Sequence, residues 1–181
     1  MMPAAEAWKI LNEAECIFDA AALDAAVHRV AEAVKAELAE SAPLVLSVMG
    51  GAVVFTGVLL PLLRFPLDFQ TIHVTRYGSR THGGEIEWLV PPRDDVRDRT
   101  VLVLDDILDE GHTMTAIRDT LVARGIKRFY SAVLADKAID RPKPIHADFV
   151  GLTVPNRYVF GYGMDVHGLW RNLPEIFALR D

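Results

Sequence analysis

Three aspartates and a glycine-containing turn follow a short apolar stretch in the second half of the chain. Residues 101–104 are four consecutive apolar residues, too few for a helix and rich in valine, and they predict a strand buried on both faces. Asp105 and Asp106 come at its carboxyl end, Asp109 opens the next turn, and a helix then begins. In an open α/β sheet, ligands bind at such a place, and the free amides of a helix start attract phosphate.

The residues after the aspartates suit a turn that leads into a helix. Gly111 can take a left-handed conformation, and Thr113 can cap the following helix. Apolar residues three or four apart then predict one buried helix face: Met114, Ile117 and Leu121. Gly125 predicts the end of this helix.

The acidic loop has two alternative interpretations. The aspartates could mark the point where a buried strand returns to water. They could also belong to the metal-binding strand of a nucleotide hydrolase. That class needs a glycine-rich loop ending in Gly-Lys-Ser or Gly-Lys-Thr, and this sequence contains no such string.

The composition predicts one globular domain covering residues 1–181. A hydrophobic content of 51% and a charged content of 24% are typical of soluble proteins, and the length suits a single core. The net charge of -6 argues against a nucleic-acid partner. The longest apolar stretch, residues 52–63, is too short to span a bilayer, so we expect no membrane segment.

Cysteine usage and the amino end predict a cytoplasmic location. Cys16 is the single cysteine, so no internal disulfide can form, and no Cys/His cluster has zinc spacing. The first residues lack the basic start of a secretion signal.

Helices and strands alternate along the chain and would position the acidic loop. Amphipathic helices are predicted at residues 20–40, 52–63 and 114–125. Strands are predicted at residues 44–49, 67–77, 85–90, 101–104, 128–135 and 148–154, with a short strand and turn at 158–165 and a brief final turn after residue 174. Strands separated by helices predict an α/β domain with a mainly parallel sheet.

Two loops could take part in ligand binding. Gly50 and Gly51 follow a predicted strand, where backbone could approach an anion closely, although a plain turn would explain them equally well. Residues 78–84 are polar and lack hydrophobic anchors, so the hairpin that they connect should have a mobile tip. Such a loop is either without function or an active-site lid.

Residues 105–113 resemble the phosphoribosyl-pyrophosphate motif of type I phosphoribosyltransferases. Further places resemble the hypoxanthine-guanine branch of that family, in the family's order over residues 44–173: the 49–51 loop, the 76–78 start of the hairpin, Lys137, Tyr158-Val159, Asp165 and Arg171. The chain departs from the family's pattern at Gly50, Arg76 and His112. The resemblance implies a parallel sheet flanked by helices, a mobile hairpin loop and a small hood from the terminal segments.

The implied activity is purine salvage, in which phosphoribosyl pyrophosphate and hypoxanthine or guanine give IMP or GMP with Mg²⁺ as cofactor. The resemblance implies these donor-binding residues: Gly50, Gly51, Asp105, Asp106, Glu110, Gly111, His112, Thr113 and Arg171. Asp105, Asp106 and Asp165 would be metal ligands, and Tyr77 and Gly78 would belong to the lid loop. Homodimers or homotetramers are also implied.

The resemblance assigns the base to a second group of residues. Asp109 would be the general base at purine N7, unless it is only a turn aspartate. Lys137 would donate to a 6-oxo group, Tyr158 would stack on the base, and Val159 would offer backbone groups. Asp165 would contact the 2-amino edge or a second metal. Each residue also has a plainer interpretation. Lys137 could be a surface lysine, Tyr158 a core aromatic residue, and Asp165 and Arg171 surface charges.

Two other functions stay open at this point. A regulator could keep the fold and sense the diphosphate or a nucleotide without catalysis, but it should lack a base at position 109 or carry an added nucleic-acid-binding domain. A transferase for xanthine or a pyrimidine would differ mainly around residues 137 and 158–165.

Overall fold

A six-stranded sheet forms the centre of the structure, a computed structural model that describes residues 2–76 and 86–180 apart from the side chain of Arg76. In sheet order the strands are β4 (Ile86–Val90), β3 (Asp68–Arg76), β2 (Leu44–Met49), β5 (Thr100–Leu108), β6 (Arg128–Lys137) and β7 (Phe149–Val154). All neighbours are parallel except β3 and β4, which are antiparallel. The predicted α/β fold with a mainly parallel sheet is confirmed.

Helices cover both faces of this sheet. The described helices are α1 (Ala4–Glu13), α2 (Ala20–Leu38), α3 (Val53–Leu59) and α4 (His112–Ala123), with 3₁₀ turns at Leu60–Leu62 and Asp94–Val96. Helices α2 and α3 bury their apolar sides against one face, and α4 packs on the other. Along the described ranges, none of the helices combines the length and apolarity that crossing a bilayer requires.

Strand β5 contributes to both cores because side chains alternate along a strand. Leu102 and Leu104 join the cluster under α2 and α3, whereas Val101 and Val103 join the cluster under α4. All four are fully buried, as the apolar run predicts.

The sheet order reverses between β2 and β5. From β2 the chain passes through α3 to β3 on one side, and β5 lies on the other side of β2 and leads into α4. The loops after β2 and β5 therefore begin beside each other at the carboxyl ends of the strands. Ligands bind at such a switch point in open parallel sheets.

A second, three-stranded antiparallel sheet lies outside the central one. Its strands come from the two ends of the chain in the order β1 (Glu15–Phe18), β9 (Ile176–Ala178) and β8 (Val159–Phe160). The Trp170 indole N–H donates to the Ala7 carbonyl at 3.1 Å and ties α1 to the C-terminal segment. This sheet forms the hood.

Some element boundaries differ from those predicted. Strands β5 and β6 continue through Leu108 and Lys137, so Asp105 and Asp106 lie within a strand, because hydrogen bonding to β6 continues past the apolar run. The cap expected from Thr113 is wrong: α4 already begins at His112, after Gly111 at φ +84°. The predicted final turn contains strand β9, and α1 and β1 were not predicted.

Candidate active site

A cleft of about 230 Å³ opens between the carboxyl ends of β5 and β6 and the hood. It is lined by residues from four parts of the chain: Asp106, Ile107, Asp109, Lys137, Tyr158, Val159, Met164, Asp165 and Arg171. Sequence reasoning named all of these except Ile107 and Met164. Ile107 could have been found from its place between the aspartates, whereas no sequence signal marks Met164.

Asp109 and Lys137 form an ion pair in this cleft. The Lys137 Nζ lies 3.2 Å from an Asp109 carboxylate oxygen. The Lys137 side chain is only 13% exposed, whereas that of Asp109 is 51% exposed. Leu108 of β5 and Asp136 of β6 are in register, so the next residues, Asp109 in the turn after β5 and Lys137 at the end of β6, lie side by side. The cleft therefore presents an accessible carboxylate next to a largely buried ammonium group.

Tyr158 and Asp165 form the opposite wall. The Tyr158 ring is 52% exposed, and its hydroxyl donates to the Asp165 carbonyl at 3.1 Å. Burial raises the pKa of Tyr158 above its ordinary value, and the nearby negative charge of Asp165 adds to this shift. The raised pKa favours the protonated hydroxyl that makes this hydrogen bond, and the half-exposed side chain lines the cleft.

The Asp165 carboxylate is held from two sides. One oxygen lies 2.6 Å from the Arg171 guanidinium, and the other accepts the Gly168 amide at 2.7 Å. Arg171 also donates to the Gly163 carbonyl at 2.6 Å. The hood turn thus carries a fixed carboxylate and a half-exposed guanidinium whose remaining N–H groups can bind an anion.

Asp105 and Asp106 are half-buried near the end of β5, and of the two Asp106 lines the cleft. The Asp105 carboxylate accepts the Asp106 amide at 3.0 Å, and the Asp106 carboxylate accepts the Ile107 amide at 2.7 Å. Burial raises the pKa of Asp105 well above its usual range, and the charge of Asp106 adds to the shift. Burial also raises the pKa of Asp106, against the effect of hydrogen bonds and of Arg171. Burial therefore disfavours ionisation of both carboxylates in the free protein.

We expect Asp105→Asn to stabilise the free protein at neutral pH. The folded-state pKa of Asp105 is raised, so its stabilising contribution is present below the ordinary aspartate pKa and is lost as pH rises through the folded value. Asparagine does not ionise, so the variant avoids this pH-dependent loss of stability. Each 1 kcal/mol gained in the free energy of unfolding raises the Tm by about 2–4 °C in a chain of this size. Thermal unfolding between pH 4 and pH 8, with chelator present, measures the gain. A gain that is larger at pH 4 than at pH 8 would contradict the assignment.

The loop after β2 lies directly against Asp106. A β-carbon on Gly51 would overlap the Asp106 carboxylate, and one on Gly163 would overlap the Gly51 carbonyl. Gly163 also has φ +103°, a conformation that other residues rarely adopt. The loop after β2, strand β5 at Asp106 and the hood turn at Gly163 therefore meet with no space between them, and glycine is needed at two of the contacts. The Met49–Gly50 peptide bond in this loop is cis.

We expect Gly51→Ala to displace the Asp106 carboxylate and to lower stability. Overpacking of this kind costs about 1–3 kcal/mol, which corresponds to a Tm lowered by several degrees. The matched control is Gly57→Ala in α3, where an added β-carbon meets nothing within 4 Å and alanine favours the helix. Differential scanning calorimetry of both variants tests this, and equal melting temperatures would show that the loop adapts without strain.

The turn from Asp109 into α4 has the features of an anion site. Gly111 takes a left-handed conformation and is followed by the first turn of a 12-residue helix, whose N-terminus carries partial positive charge. Glu110 is paired with Arg141 and lies 3.8 Å from the His112 ring. The Glu110 charge is therefore balanced and would not by itself repel an anion.

The remaining predicted residues are less well defined by the geometry. Tyr77 and Gly78 lie outside the described residues.

Residues 2–76 and 86–180 contain no group of three or more His, Cys, Asp or Glu side chains arranged to hold a metal ion. Asp105, Asp106 and Asp165 therefore do not form a site made of protein ligands alone. Mg²⁺ is usually held by one or two carboxylates together with substrate oxygens and water, and Asp105 and Asp106, adjacent carboxylates whose ionisation burial disfavours, fit that use.

A family model described as a phosphoribosyl transferase domain matches residues 13–167. The chain is 33% identical over 145 residues to a hypoxanthine-guanine phosphoribosyltransferase of Bacillus subtilis, a match that covers 80% of this chain and 81% of that protein. It is 37% identical over 139 residues to the bifunctional protein TilS/HprT of Listeria monocytogenes. That match covers 76% of this chain but only 22% of the length of the bifunctional protein.

Solved structures show the same fold. A hypoxanthine phosphoribosyl transferase of Trypanosoma cruzi superposes with a TM-score of 0.85 at 26% identity. The superposition covers 92% of this chain and 91% of that one.

Proposed function

The chain belongs to the phosphoribosyltransferase family, and we propose that it transfers the phosphoribosyl group of phosphoribosyl pyrophosphate to hypoxanthine or guanine. The observation that carries this proposal is the Asp109–Lys137 pair in the cleft, with its 3.2 Å separation. The relatives named above support the choice of substrates.

The Asp109–Lys137 pair matches one edge of a 6-oxopurine. O6 and N7 are neighbours on that edge, and O6 accepts hydrogen bonds. Lys137 can only donate and would bind O6, while the accessible Asp109 carboxylate would face N7. Adenine carries a 6-amino donor in place of O6, so it would leave two donors facing each other. Such unpaired groups make rejection of the wrong base effective.

Asp109 would act as general base in nucleotide synthesis. As N9 of the purine bonds to C1 of the ribose, the C1–O bond to the diphosphate breaks and the diphosphate leaves with that electron pair. The ring then carries excess positive charge, which it loses as the N7 proton passes to Asp109. In the free protein Lys137 neutralises Asp109, and the arriving O6 would share the ammonium group with it.

The donor would bind across the switch point of the sheet. The helix start at residues 110–113 would hold the 5-phosphate, and Asp105 and Asp106 would hold the ribose hydroxyls. The backbone of the 50–51 loop would contact the diphosphate. Arg171 would contact diphosphate oxygens through the guanidinium N–H donors that do not bind Asp165 or Gly163.

Mg²⁺ would be bound by Asp105 or Asp106, and by Asp165 at a second position, together with donor oxygens. When bound, the metal offsets the negative charge of the departing diphosphate. The raised pKa values of Asp105 and Asp106 support this role, because a cation would relieve the charge that burial disfavours.

The purine would pack against the hood. Tyr158 is half-exposed, with its hydroxyl anchored, and could stack its ring on the purine. Val159 pairs with Ala178 in β8 and β9, which would fix its backbone for contact with the base edge. Asp165 lies beside Tyr158 and could meet the 2-amino edge of guanine.

We propose that the protein assembles into homodimers or homotetramers. Large apolar side chains are exposed on the antiparallel edge of the sheet, at Phe69 in β3 and at Leu89 and Val90 in β4. Exposed apolar patches often mark contacts between proteins. Sedimentation equilibrium would measure the assembly, and a monomer at all concentrations would contradict it.

The decisive experiment mixes the protein with phosphoribosyl pyrophosphate, Mg²⁺ and a panel of bases, and detects nucleotide by chromatography. We expect IMP and GMP, with far less AMP. Reactions without donor or without Mg²⁺ are the controls. Absence of product with both hypoxanthine and guanine would refute the proposal. Donor binding without any product would then favour a sensing regulator, and product with xanthine or a pyrimidine alone would favour a transferase for that base.

A further inference from the structure

Lys143 is a buried lysine in the connection between β6 and β7 that the proposed reaction does not use. Its side chain is only 7% exposed. The ammonium group donates to the Leu108 carbonyl at 2.6 Å and also to the Asp136 carboxylate. A buried lysine is rare unless its charge is paired, and here one partner is a carboxylate and the other is main chain.

The two partners of Lys143 immediately precede the two residues of the central ion pair. Leu108 precedes Asp109, and Asp136 precedes Lys137. Leu108, the last residue of β5, is also directly paired in register with Asp136, the last residue but one of β6. Lys143 therefore bridges the last residue pair between these two strands, next to the Asp109–Lys137 ion pair.

The connection that carries Lys143 is suited to hold it in place. Pro142 and Pro144 flank the lysine, and each fixes its own φ and restricts the residue before it. Pro144 and Ile145 pack within reach of a β-carbon at Gly111, and Arg141 pairs with Glu110. The connection thus contacts the 108–111 segment at three successive points.

We propose that Lys143 is a positioning residue that sets the spacing between Asp109 and Lys137 and so aligns both with the N7–O6 edge of the purine. The inference rests on the proposed function. Lys143 touches neither substrate; it acts by fixing the backbone from which the two contacting residues extend. Without the ammonium group, the ends of β5 and β6 would separate. The Asp109 carboxylate and the Lys137 ammonium group would then no longer contact the same purine edge.

The competing explanation is that Lys143 only neutralises a partly buried Asp136. The two explanations differ when both charges are removed. A buried pair replaced on both sides often restores stability, whereas removal of one partner leaves an unpaired buried charge. Under the positioning role, a variant lacking both charges still lacks the donor to the Leu108 carbonyl and stays defective in catalysis.

The test compares Lys143→Met, Lys143→Arg and the double variant Lys143→Met/Asp136→Asn with the parent protein. The double variant keeps the test valid if Lys143→Met alone fails to fold. The matched control is Arg124→Met, because Arg124 also donates to a backbone carbonyl, that of Pro92 at 2.9 Å, but far from the cleft. The readouts are the Tm, the Kd for phosphoribosyl pyrophosphate, and kcat and KM for hypoxanthine and adenine.

We expect the double variant to melt close to the parent and to bind the donor normally. Its kcat/KM for hypoxanthine should fall by about 100-fold, the size of effect that a misplacement near 1 Å produces. Its preference for hypoxanthine over adenine should fall as well. Lys143→Arg keeps a positively charged donor, so both quantities should fall less in that variant than in Lys143→Met. Arg124→Met should change stability without changing the preference.

Two results would overturn the inference in distinguishable ways. An active parent with a double variant of equal kcat/KM and equal base preference would leave the proposed function standing and would reduce Lys143 to a charge partner of Asp136. A parent that forms no nucleotide from any 6-oxopurine would refute the proposed function, and the positioning role with it.

Discussion

Replacing Asp109 with asparagine is expected to lower kcat for IMP synthesis by about 10²- to 10⁴-fold, the range typical of a lost general base. Asparagine has nearly the same shape, and its amide oxygen can still accept from Lys137, so the pair that lies at 3.2 Å keeps its geometry. An amide cannot take up the N7 proton, so the substitution should lower kcat. Affinity for phosphoribosyl pyrophosphate should be unchanged, because the proposed donor contacts involve other residues.

Single-turnover kinetics and calorimetric titration of the donor measure these two effects separately. The matched control is Asp119→Asn, which removes an exposed aspartate on α4 whose partner is Arg118. Undiminished turnover in Asp109→Asn would remove the residue from the role of base. A parallel loss of donor affinity would instead indicate that Asp109 belongs to the donor site.

The central sheet could be predicted from the sequence because its strands carry their own signal. The apolar runs of β2 and β5 mark strands buried on both faces, and Met114, Ile117 and Leu121 mark the buried side of α4. The sites at the strand ends follow, since the carboxyl ends of parallel strands meet at one edge. The cleft accordingly contains Lys137 and three of the carboxylates that the sequence indicated, those of Asp106, Asp109 and Asp165.

Strand ends and caps could not be predicted, because tertiary contacts decide them. Strand β5 extends through two aspartates against their propensity, since β6 offers hydrogen-bonding partners as far as Asp136. Strand β9 exists because β1 and β8, from distant parts of the chain, lie on either side of it. The last turn that the local sequence indicates is thereby replaced by a strand.

Contacts between distant segments left no sequence signal. Gly51 could be suspected of backbone approach to an anion, but its contact with Asp106 depends on how β2 and β5 lie side by side. Lys143 lies between Pro142 and Pro144, and such prolines indicate no more than a loop. Its position under the Asp109–Lys137 pair follows from the path of the β6–β7 connection across the end of the sheet.

Replacing Lys137 with methionine is expected to change which bases react. Methionine keeps much of the apolar stem but cannot donate, so O6 of hypoxanthine would lose a charged partner in a largely buried position. The 6-amino group of adenine would no longer face an ammonium group. The ratio of kcat/KM for hypoxanthine over adenine should therefore fall by about 100-fold or more. A site discriminates strongly when the wrong base leaves one of its buried polar groups unpaired, and the methionine variant lacks that group.

Lys137→Gln sharpens this test, because a side-chain amide can present its oxygen to a 6-amino group and should raise the activity with adenine above that of Lys137→Met. Lys127→Met, at an exposed position before β6, controls for the loss of one positive charge. Since Lys137 also neutralises Asp109 in the free protein, both variants should be compared in donor affinity, which we expect to be unchanged. Selectivity equal to that of the parent in both variants would show that the 6-position is recognised elsewhere, and the match between the ion pair and the purine edge would then be coincidental.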